Sequence, residues 1–274
     1  MTTLTTSRDD LDYLFFQRRI KEKTGIDLSS YKRPQMERRL RALLTAAGVR
    51  SFREYLYLLE RDPELLETFR RRVTINVSEL FRNPDKFQEL KDAIIPALAR
   101  EHDRLRIWSA GCSYGAEAYS VAVILHELFG AAHGHRILAT DIDDEMLDLA
   151  RQGRFSDADM KNVDRARRAR FFTSDPPGWR AAGPLRQMVD VRRHDLLTEH
   201  FERSFHLILC RNVVIYFTDE AKAQLYRGFR DSLVPGGVLF IGSTEHIFSA
   251  REIGLESISS FFYRSVPAAL VEDR

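Results

Sequence analysis

Short apolar runs alternate with helix-like segments from about residue 105 onward, and this alternation constrains the fold more than any other feature of the chain. The apolar runs predict strands at 105–110, 136–140, 188–191, 205–210, 238–242 and 260–266. Apolar residues at helical spacing fill 116–129, 144–151 and 219–233 between them. Strands that alternate with helices in this way indicate a parallel, doubly wound α/β sheet. Segment 152–187 breaks the alternation and is rich in Arg, Asp, Pro and Gly, which predicts a small inserted subdomain.

The chain before residue 76 shows helical spacing and no strand-like alternation. An apolar series predicts the first helix, and Pro34 marks the start of the second. The series consists of Leu11, Leu14, Phe15 and Ile20. We expect an all-helical domain over 1–75, a linker with the first part of a ligand site over 76–104, and the α/β domain over 105–270.

The whole chain is nearly neutral, with 42 Lys and Arg against 40 Asp and Glu, but the charge is unevenly distributed. Residues 1–75 hold 16 basic and 11 acidic side chains, whereas 76–274 hold 26 and 29. The near balance excludes a protein that coats nucleic acid, and the uneven split predicts two surfaces with different partners.

Composition also limits the class of protein and its compartment. An aromatic content of 11% excludes a disordered chain, and two cysteines exclude a disulfide framework. The apolar runs fall far short of the roughly 20 residues that cross a bilayer. Segment 1–12 is polar and is not a secretory signal, and eight scattered histidines predict no metal site. We therefore expect a cytoplasmic monomer that binds no nucleic acid and inserts into no membrane.

A glycine-containing turn follows the first predicted strand, and an acidic residue ends the second. Gly111 and Gly115 are spaced G-x-x-x-G, which departs from the G-x-G-x-x-G fingerprint for a dinucleotide pyrophosphate. Asp141 stands where a carboxylate can accept hydrogen bonds from both hydroxyls of a ribose. A nucleoside without phosphates fits this combination, and S-adenosylmethionine is the commonest such cofactor. A tight turn and a helix-capping aspartate that bind no ligand are the alternative interpretation.

Four segments resemble the CheR family, the S-adenosylmethionine-dependent methyltransferases that esterify glutamates on bacterial chemoreceptors. In this chain they read TINVSELFR at 74–82, IWSAGCSYGAEAYS at 107–120, ATDID at 139–143 and CRNVVIYF at 210–217. The family patterns are T-x-N-x-T-x-F-F-R, W-S-A-G-C-S-T-G-E-E-P-Y-S, A-T-D-I-D and C-R-N-V-L-I-Y-F. Order and spacing agree over roughly residues 12–265. The resemblance implies a Rossmann-like methyltransferase domain with an inserted subdomain behind a small helical domain.

The resemblance also implies a binding site for S-adenosylmethionine and a pair of catalytic residues. The implied cofactor-binding residues are Asn76, Ser78, Arg82, Gly111, Glu117, Asp141, Asp195, Leu196, Asn212 and Val213. Asn76, Ser78 and Arg82 match positions that line the methionine end of the cofactor. Glu117 matches a residue that holds the amino group, Asp141 the ribose carboxylate, and 195–196 the contacts to adenine. Arg82 and Tyr216 match the pair nearest the transferring methyl group.

Several positions depart from the family pattern and keep other functions open. Tyr114 replaces a threonine, Ala116 replaces the first of two glutamates, and Ser78 replaces a threonine. Segment 242–245 reads GSTE where the family has G-H-S-E. One alternative is a regulatory module that binds S-adenosylmethionine or S-adenosylhomocysteine with weakened catalysis. The other is a methyltransferase that acts on a different protein or a small molecule.

Basic residues cluster on the second predicted helix, where Glu37 is the one acid near them. The cluster contains Arg33, Arg38, Arg39 and Arg41. Family members recognise acidic receptor helices with a basic helix in this place, so the resemblance implies docking of chemoreceptor cytoplasmic helices. A solvated helix face is the alternative interpretation.

Overall fold

The computed structural model describes residues 8–73, 78–131 and 134–266, and these residues form two compact units. The first unit contains the described residues up to Val73 together with Tyr216–Ala221. The second contains the described residues from Ser78 to Ile215 and from Lys222 onward. Within the described ranges, no helix combines the length and the apolar character needed to cross a membrane.

Four helices form most of the first unit: α1 (Arg8–Thr24), α2 (Arg33–Ala46), α3 (Phe52–Arg61) and α4 (Pro63–Val73). A reciprocal capping box between Ser51 and Glu54 begins α3. Phe16, Tyr55 and Phe69 are buried in one aromatic cluster that joins α1, α3 and α4. The all-helical character predicted for this part of the chain is confirmed.

The buried face of α1 differs from the predicted face. The predicted residues that lie exposed are Leu11, Leu14 and Phe15. Ile20 is buried as expected, but Tyr13 and Phe16 form the rest of the buried face and pack against Phe52 of α3. Three- and four-residue spacing occurs on both faces of this helix, and the larger aromatic rings bury the greater area.

A seven-stranded, mostly parallel sheet forms the centre of the second unit. The strands of this unit are β1 (Arg106–Ala110), β2 (Arg136–Asp141), β3 (Arg154–Phe155), β4 (Phe172–Asp175), β5 (Gly178–Ala181), β6 (Val189–Arg193), β7 (Phe205–Cys210), β8 (Leu233–Ile241), β9 (Leu255–Ser259) and β10 (Phe262–Ser265), of which β3, β4 and β5 lie outside the seven-stranded sheet. The central order is β6–β2–β1–β7–β8–β10–β9, in which β10 runs antiparallel to both of its neighbours, β8 and β9. The predicted α/β class with a parallel sheet is confirmed.

Two strands differ from the sequence-based expectation. β8 begins at Leu233 rather than near 238, because its pairing with β7 shifts register and accommodates the Pro-Gly-Gly turn. The edge strand β9 was not predicted, since polar and charged residues such as Glu256 weaken its apolar pattern. Neither difference affects the carboxyl ends of β6, β2, β1 and β7.

The remaining helices flank the sheet or belong to the inserted segment. They are α5 (Pro84–Glu89), α6 (Ile95–Glu101), α7 (Ala116–Phe129), α8 (Asp144–Gln152), α9 (Arg165–Phe171), α10 (Gly183–Met188) and α11 (Asp219–Ser232). A π-helical turn at Leu90–Ile94 joins α5 to α6. The segment expected as a linker is therefore largely helical, and its Phe87 and Leu98 are buried in the core. Inside the inserted segment, β3, β5 and β4 form a small antiparallel sheet.

Candidate active site

The carboxyl ends of four neighbouring parallel strands bring most candidate residues to one edge of the central sheet. The residues that end or follow these strands are Gly111 (β1), Asp141 (β2), Asp195 (β6) and Asn212 (β7). Parallel pairing of β6 with β2, β2 with β1 and β1 with β7 aligns the strand ends. Ligands of open α/β sheets bind outside the carboxyl ends of the strands, so this edge is the candidate site.

The turn after β1 requires glycine at position 111. Gly111 has a φ of +76°, which residues with a side chain rarely adopt. A Cβ atom there would lie 2.5 Å from Cγ2 of Val213, which is closer than packed atoms approach. The glycine therefore lets the turn approach Val213 and keeps side-chain atoms out of the candidate site.

Backbone amides hold the carboxylate of Asp141 in a fixed orientation. Its Oδ1 accepts from the N–H of Ile142 at 2.8 Å and of Asp143 at 3.1 Å. Its Oδ2 accepts from the N–H of Ser113 at 2.8 Å. Burial raises the pKa of the Asp141 carboxyl, while these three amides lower it. An ionised carboxylate offers about four acceptor positions, so capacity remains for a ligand hydroxyl.

Glu117, in the first turn of α7, carries a largely buried carboxylate with two cationic neighbours. Its Oε1 accepts from Oγ of Ser109 at 2.7 Å, and its Oε2 lies 3.6 Å from Nη1 of Arg211. Burial raises the pKa of Glu117, whereas the guanidinium groups of Arg211 and Arg82 lower it. The carboxylate is therefore oriented and close to Arg82, which fits a role in holding a ligand ammonium group.

Arg82 is presented by a constrained backbone just before α5. Its neighbours Phe81 and Asn83 have φ values of +54° and +62°, in the left-handed region that side chains disfavour. The N–H of Phe81 donates to Oγ of Ser120 at 2.8 Å, and the Arg82 carbonyl accepts from Nη2 of Arg211 at 2.9 Å. The backbone on either side of Arg82 is thus tied to neighbouring elements.

Tyr114, which departs from the family pattern, supports the segment that carries Ser78. The Tyr114 hydroxyl contacts the Ser78 carbonyl and lies 2.8 Å from Oδ1 of Asp159 in the inserted segment. Burial and the Asp159 carboxylate raise the pKa of this phenol. The bulkier residue therefore links the glycine turn to two other segments. Asn76, also predicted to bind the cofactor, lies outside the described residues.

The turn after β6 is fixed by a second buried carboxylate. Oδ1 of Asp195 accepts from the N–H of Leu197 at 2.9 Å, and the Asp195 N–H donates to Oε1 of Glu199 at 3.2 Å. Leu196 is half-buried beside it. These residues therefore lie in an ordered turn at the sheet edge, where the sequence predicts contacts to adenine.

The other candidate residues belong to the first unit and surround a groove of about 380 Å³. The groove is lined by Tyr31, Gln35, Met36, Arg38, Arg39, Ala42 and Tyr216. The Lys32 N–H donates to the Tyr216 carbonyl at 2.9 Å, which fixes the Tyr216 backbone. The Arg39 guanidinium lies 6.0 Å from the centre of the Tyr216 ring. Within this unit, the groove therefore places two arginines on the same surface as Tyr216.

The four predicted docking arginines occupy two different environments. Arg33 and Arg41 both form ion pairs with Glu37, and further acids of α1 lie near them. Arg39 is half-buried, and burial lowers the pKa of its guanidinium. Arg38 is exposed and lines the groove. The predicted cluster thus divides into a neutralised pair and a pair beside Tyr216.

Two buried charged residues of the sheet edge received no role from the sequence. Arg211 follows β7 directly, and Glu245 follows β8. The N–H of Gly242 donates to Oε2 of Glu245 at 2.6 Å, whereas Oε1 is buried without a hydrogen-bond partner among the described residues. Both residues fall in segments that resemble family motifs. This placement is the one sequence signal that could have identified them as site residues.

Glu245 should make the stability of the protein depend on pH. Burial raises its pKa from 4.5 to about 7. The folded state therefore binds this proton more tightly than the unfolded state, so stability from Glu245 is full below pH 4.5 and falls as pH rises toward 7. Glu245→Gln should remove a pH-dependent loss on the order of 3 kcal/mol.

Urea unfolding at pH 5 and pH 8 measures this loss. The variant's advantage over the wild type should be larger at pH 8 than at pH 5. An equal difference at both pH values would show that the folded protein does not hold this proton.

The described ranges 8–73, 78–131 and 134–266 contain no group of three or more His, Cys, Asp or Glu side chains placed to hold a metal ion.

Comparisons with known proteins give two family matches that together span most of the chain. A model described as CheR methyltransferase, SAM binding domain, matches residues 76–260. A model described as CheR methyltransferase, all-alpha domain, matches residues 11–74.

Curated relatives match over nearly the whole length of both chains. A chemotaxis protein methyltransferase of Listeria innocua is 40% identical and covers 92% of this chain and 96% of the relative. The protein of the same description from Listeria monocytogenes is 39% identical with the same coverage. Chemotaxis protein methyltransferase 1 of Pseudomonas aeruginosa is 32% identical over 87% of this chain and 91% of the relative.

Proposed function

The chain belongs to the CheR methyltransferase family and is an S-adenosylmethionine-dependent methyltransferase, and from this premise we propose that it methylates glutamate side-chain carboxylates of methyl-accepting chemoreceptors. The product would be a glutamate methyl ester. One observation carries the proposal: Glu117 and Asp141 follow or end neighbouring strands at the carboxyl edge of one parallel sheet, and the Arg82 guanidinium lies near enough to Glu117 to lower the pKa of its carboxyl. A cationic group thus lies near Glu117, one of the two carboxylates that fit the cofactor.

The site residues divide by the part of the cofactor that they fit. Asp141 would hold the ribose hydroxyls, and Glu117 would hold the amino group. Residues 195–196 would contact adenine, and Gly111, Asn212 and Val213 would shape the floor of the site. Ser78, Arg82 and Asn76 would line the methionine end.

The reaction needs little proton transfer from the protein. A glutamate carboxylate is ionised at neutral pH because its unperturbed pKa is about 4.3, so it requires no general base. S-adenosylmethionine, when bound, supplies a methyl group activated by a sulfonium. The protein's task is therefore to exclude water and to align the receptor carboxylate with this group.

Arg82 and Tyr216 are the residues that we assign to this alignment. A guanidinium holds a carboxylate through two parallel hydrogen bonds, which fixes both its position and its plane. A phenol hydroxyl adds one directional hydrogen bond. In this role both residues orient the substrate and neither transfers a proton.

Incubation of the full chain with radiolabelled S-adenosylmethionine and receptor cytoplasmic fragments tests the proposal. Label should enter the receptor and be released as methanol by mild base, because carboxyl esters hydrolyse readily. Matched fragments in which the candidate glutamates are replaced by glutamine should remain unlabelled. Base-stable label would point to another acceptor group. Binding of S-adenosylhomocysteine without any transfer would instead support the regulatory module.

The basic groove allows a separate test of receptor docking. Arg38→Glu should raise KM for an acidic receptor fragment by about tenfold at low salt, because it reverses an exposed charge beside Tyr216. Affinity for S-adenosylhomocysteine should stay within about twofold.

Arg41→Glu is the matched control for this test, since it reverses an exposed charge on the same helix that already pairs with Glu37. Its KM should change much less than that of the Arg38 variant. Equal changes in the two variants would assign docking to the net charge of α2 rather than to the groove.

A further inference from the structure

We infer that Arg211 is a positioning residue for methyl transfer, which fixes the Arg82 segment and the Glu117 carboxylate relative to each other. The kinetic part of this inference rests on the proposed function, whereas its cofactor-binding part does not. Arg211 lies in the turn after β7, directly before Asn212. From there its side chain reaches two segments that are far away in sequence.

The guanidinium of Arg211 connects three groups at once. Nη2 donates to the carbonyl of Arg82 at 2.9 Å and to Oδ1 of Asn83 at 2.6 Å. Nη1 lies 3.6 Å from Oε2 of Glu117. A planar guanidinium with donors on separate nitrogens can hold these acceptors in one fixed arrangement, which a lysine ammonium cannot reproduce.

Burial makes this arrangement rigid. The Arg211 side chain is 3% exposed and lies over the rings of Phe240, at 4.5 Å, and Phe87, at 5.2 Å. Burial lowers the pKa of Arg211, while the carboxylates of Glu117 and Glu245 raise it. A buried cation is tolerated where opposite charges and hydrogen bonds compensate its lost hydration, so its partners are held closely.

The backbone around Arg82 depends on such support. Phe81 and Asn83 both adopt left-handed φ values, and these conformations persist only where neighbouring groups hold them. Ser120 holds the N–H of Phe81, and Arg211 holds the next carbonyl and the Asn83 side chain. Loss of the Arg211 fork should therefore let the Arg82 segment relax and move its guanidinium away from Glu117.

Arg211→Lys tests the inference, because it keeps the positive charge and loses the fork. We expect the Kd for S-adenosylhomocysteine, measured by calorimetry, to rise at least tenfold. We expect kcat per binding site to fall at least tenfold, while KM for the receptor fragment stays within threefold. Arg251→Lys, at an exposed arginine of the same unit, should leave all three constants unchanged.

Asn83→Gly is a second test of the inference, which applies even if the Arg211→Lys variant does not fold. Glycine accepts the φ of +62° and removes the Asn83 side chain with its Oδ1 acceptor, while the hydrogen bond from Arg211 to the Arg82 carbonyl is kept, so the chain should fold and lose part of the same effect. We expect kcat to fall about threefold to tenfold with an unchanged KM for the receptor.

The outcomes separate positioning from simple structural support. A lower melting temperature with wild-type Kd and kcat per binding site, in whichever of the two variants folds, would overturn the inference. If wild-type protein methylated no receptor, the proposed function would fail, and the Kd for S-adenosylhomocysteine would still decide whether Arg211 organises the site.

Discussion

Arg82→Ala should lower kcat for receptor methylation by a factor of about 10² to 10³. Two hydrogen bonds from a guanidinium to a carboxylate contribute about 3–4 kcal/mol together, and each 1.4 kcal/mol is tenfold. The loss should appear in kcat because these two hydrogen bonds hold the bound receptor carboxylate in line with the methyl group. The fold should be retained, because the hydrogen bond from Arg211 is accepted by the Arg82 backbone carbonyl, which alanine keeps.

Single-turnover methylation with saturating S-adenosylmethionine measures the effect directly. Arg82→Lys should give an intermediate rate, since it keeps the charge near Glu117 but loses the two-bond fork. Arg100→Ala, at an exposed arginine of α6, is the control and should match the wild type. A fully active Arg82→Ala variant would remove Arg82 from the mechanism.

The sequence predicts the central architecture well because buried parallel strands are almost wholly apolar. Strand β7 is such a strand, and it spans 205–210 as predicted. The edge strand β9 escapes prediction, since it mixes Leu255 with polar residues at the rim of the sheet. The α1 helix shows a different limit. Its period was evident, but the sequence did not decide between an aliphatic face and an aromatic face that share the same spacing.

For the site, the sequence predicts which residues gather at the sheet edge but not how they are connected. Asp141 and Gly111 follow from the rule that parallel strands end together. The link from Arg211 to the Arg82 carbonyl spans 129 residues and involves a backbone acceptor, so no residue type reveals it. Arg38 and Arg41 look equivalent in sequence. The structure distinguishes them, because Arg41 pairs with Glu37 and Arg38 lines the groove.

Asp141→Asn should weaken binding of S-adenosylhomocysteine by about 10- to 100-fold. The amide group keeps one acceptor oxygen and places N–H donors against either Ser113 or the pair Ile142 and Asp143, all of which donate to the carboxylate. An unsatisfied buried donor costs about 1–3 kcal/mol of stability in the free and the bound protein alike, so it does not change Kd. A lost hydrogen bond from a ribose hydroxyl to a charged acceptor costs about 1.5–3 kcal/mol of binding, which corresponds to one to two orders of magnitude in Kd.

Asp143→Asn provides the matched control in calorimetry, because it makes the same chemical change in a buried carboxylate two residues along the chain. Asp143 caps α8 by accepting from the N–H of Glu145 at 3.1 Å and of Met146 at 3.3 Å. Asparagine caps helices about as well as aspartate, so both the fold and the Kd should stay close to wild type. If the two variants bound S-adenosylhomocysteine equally well, Asp141 would serve the turn after β1 alone, and the ribose would have to be held by other residues of the sheet edge.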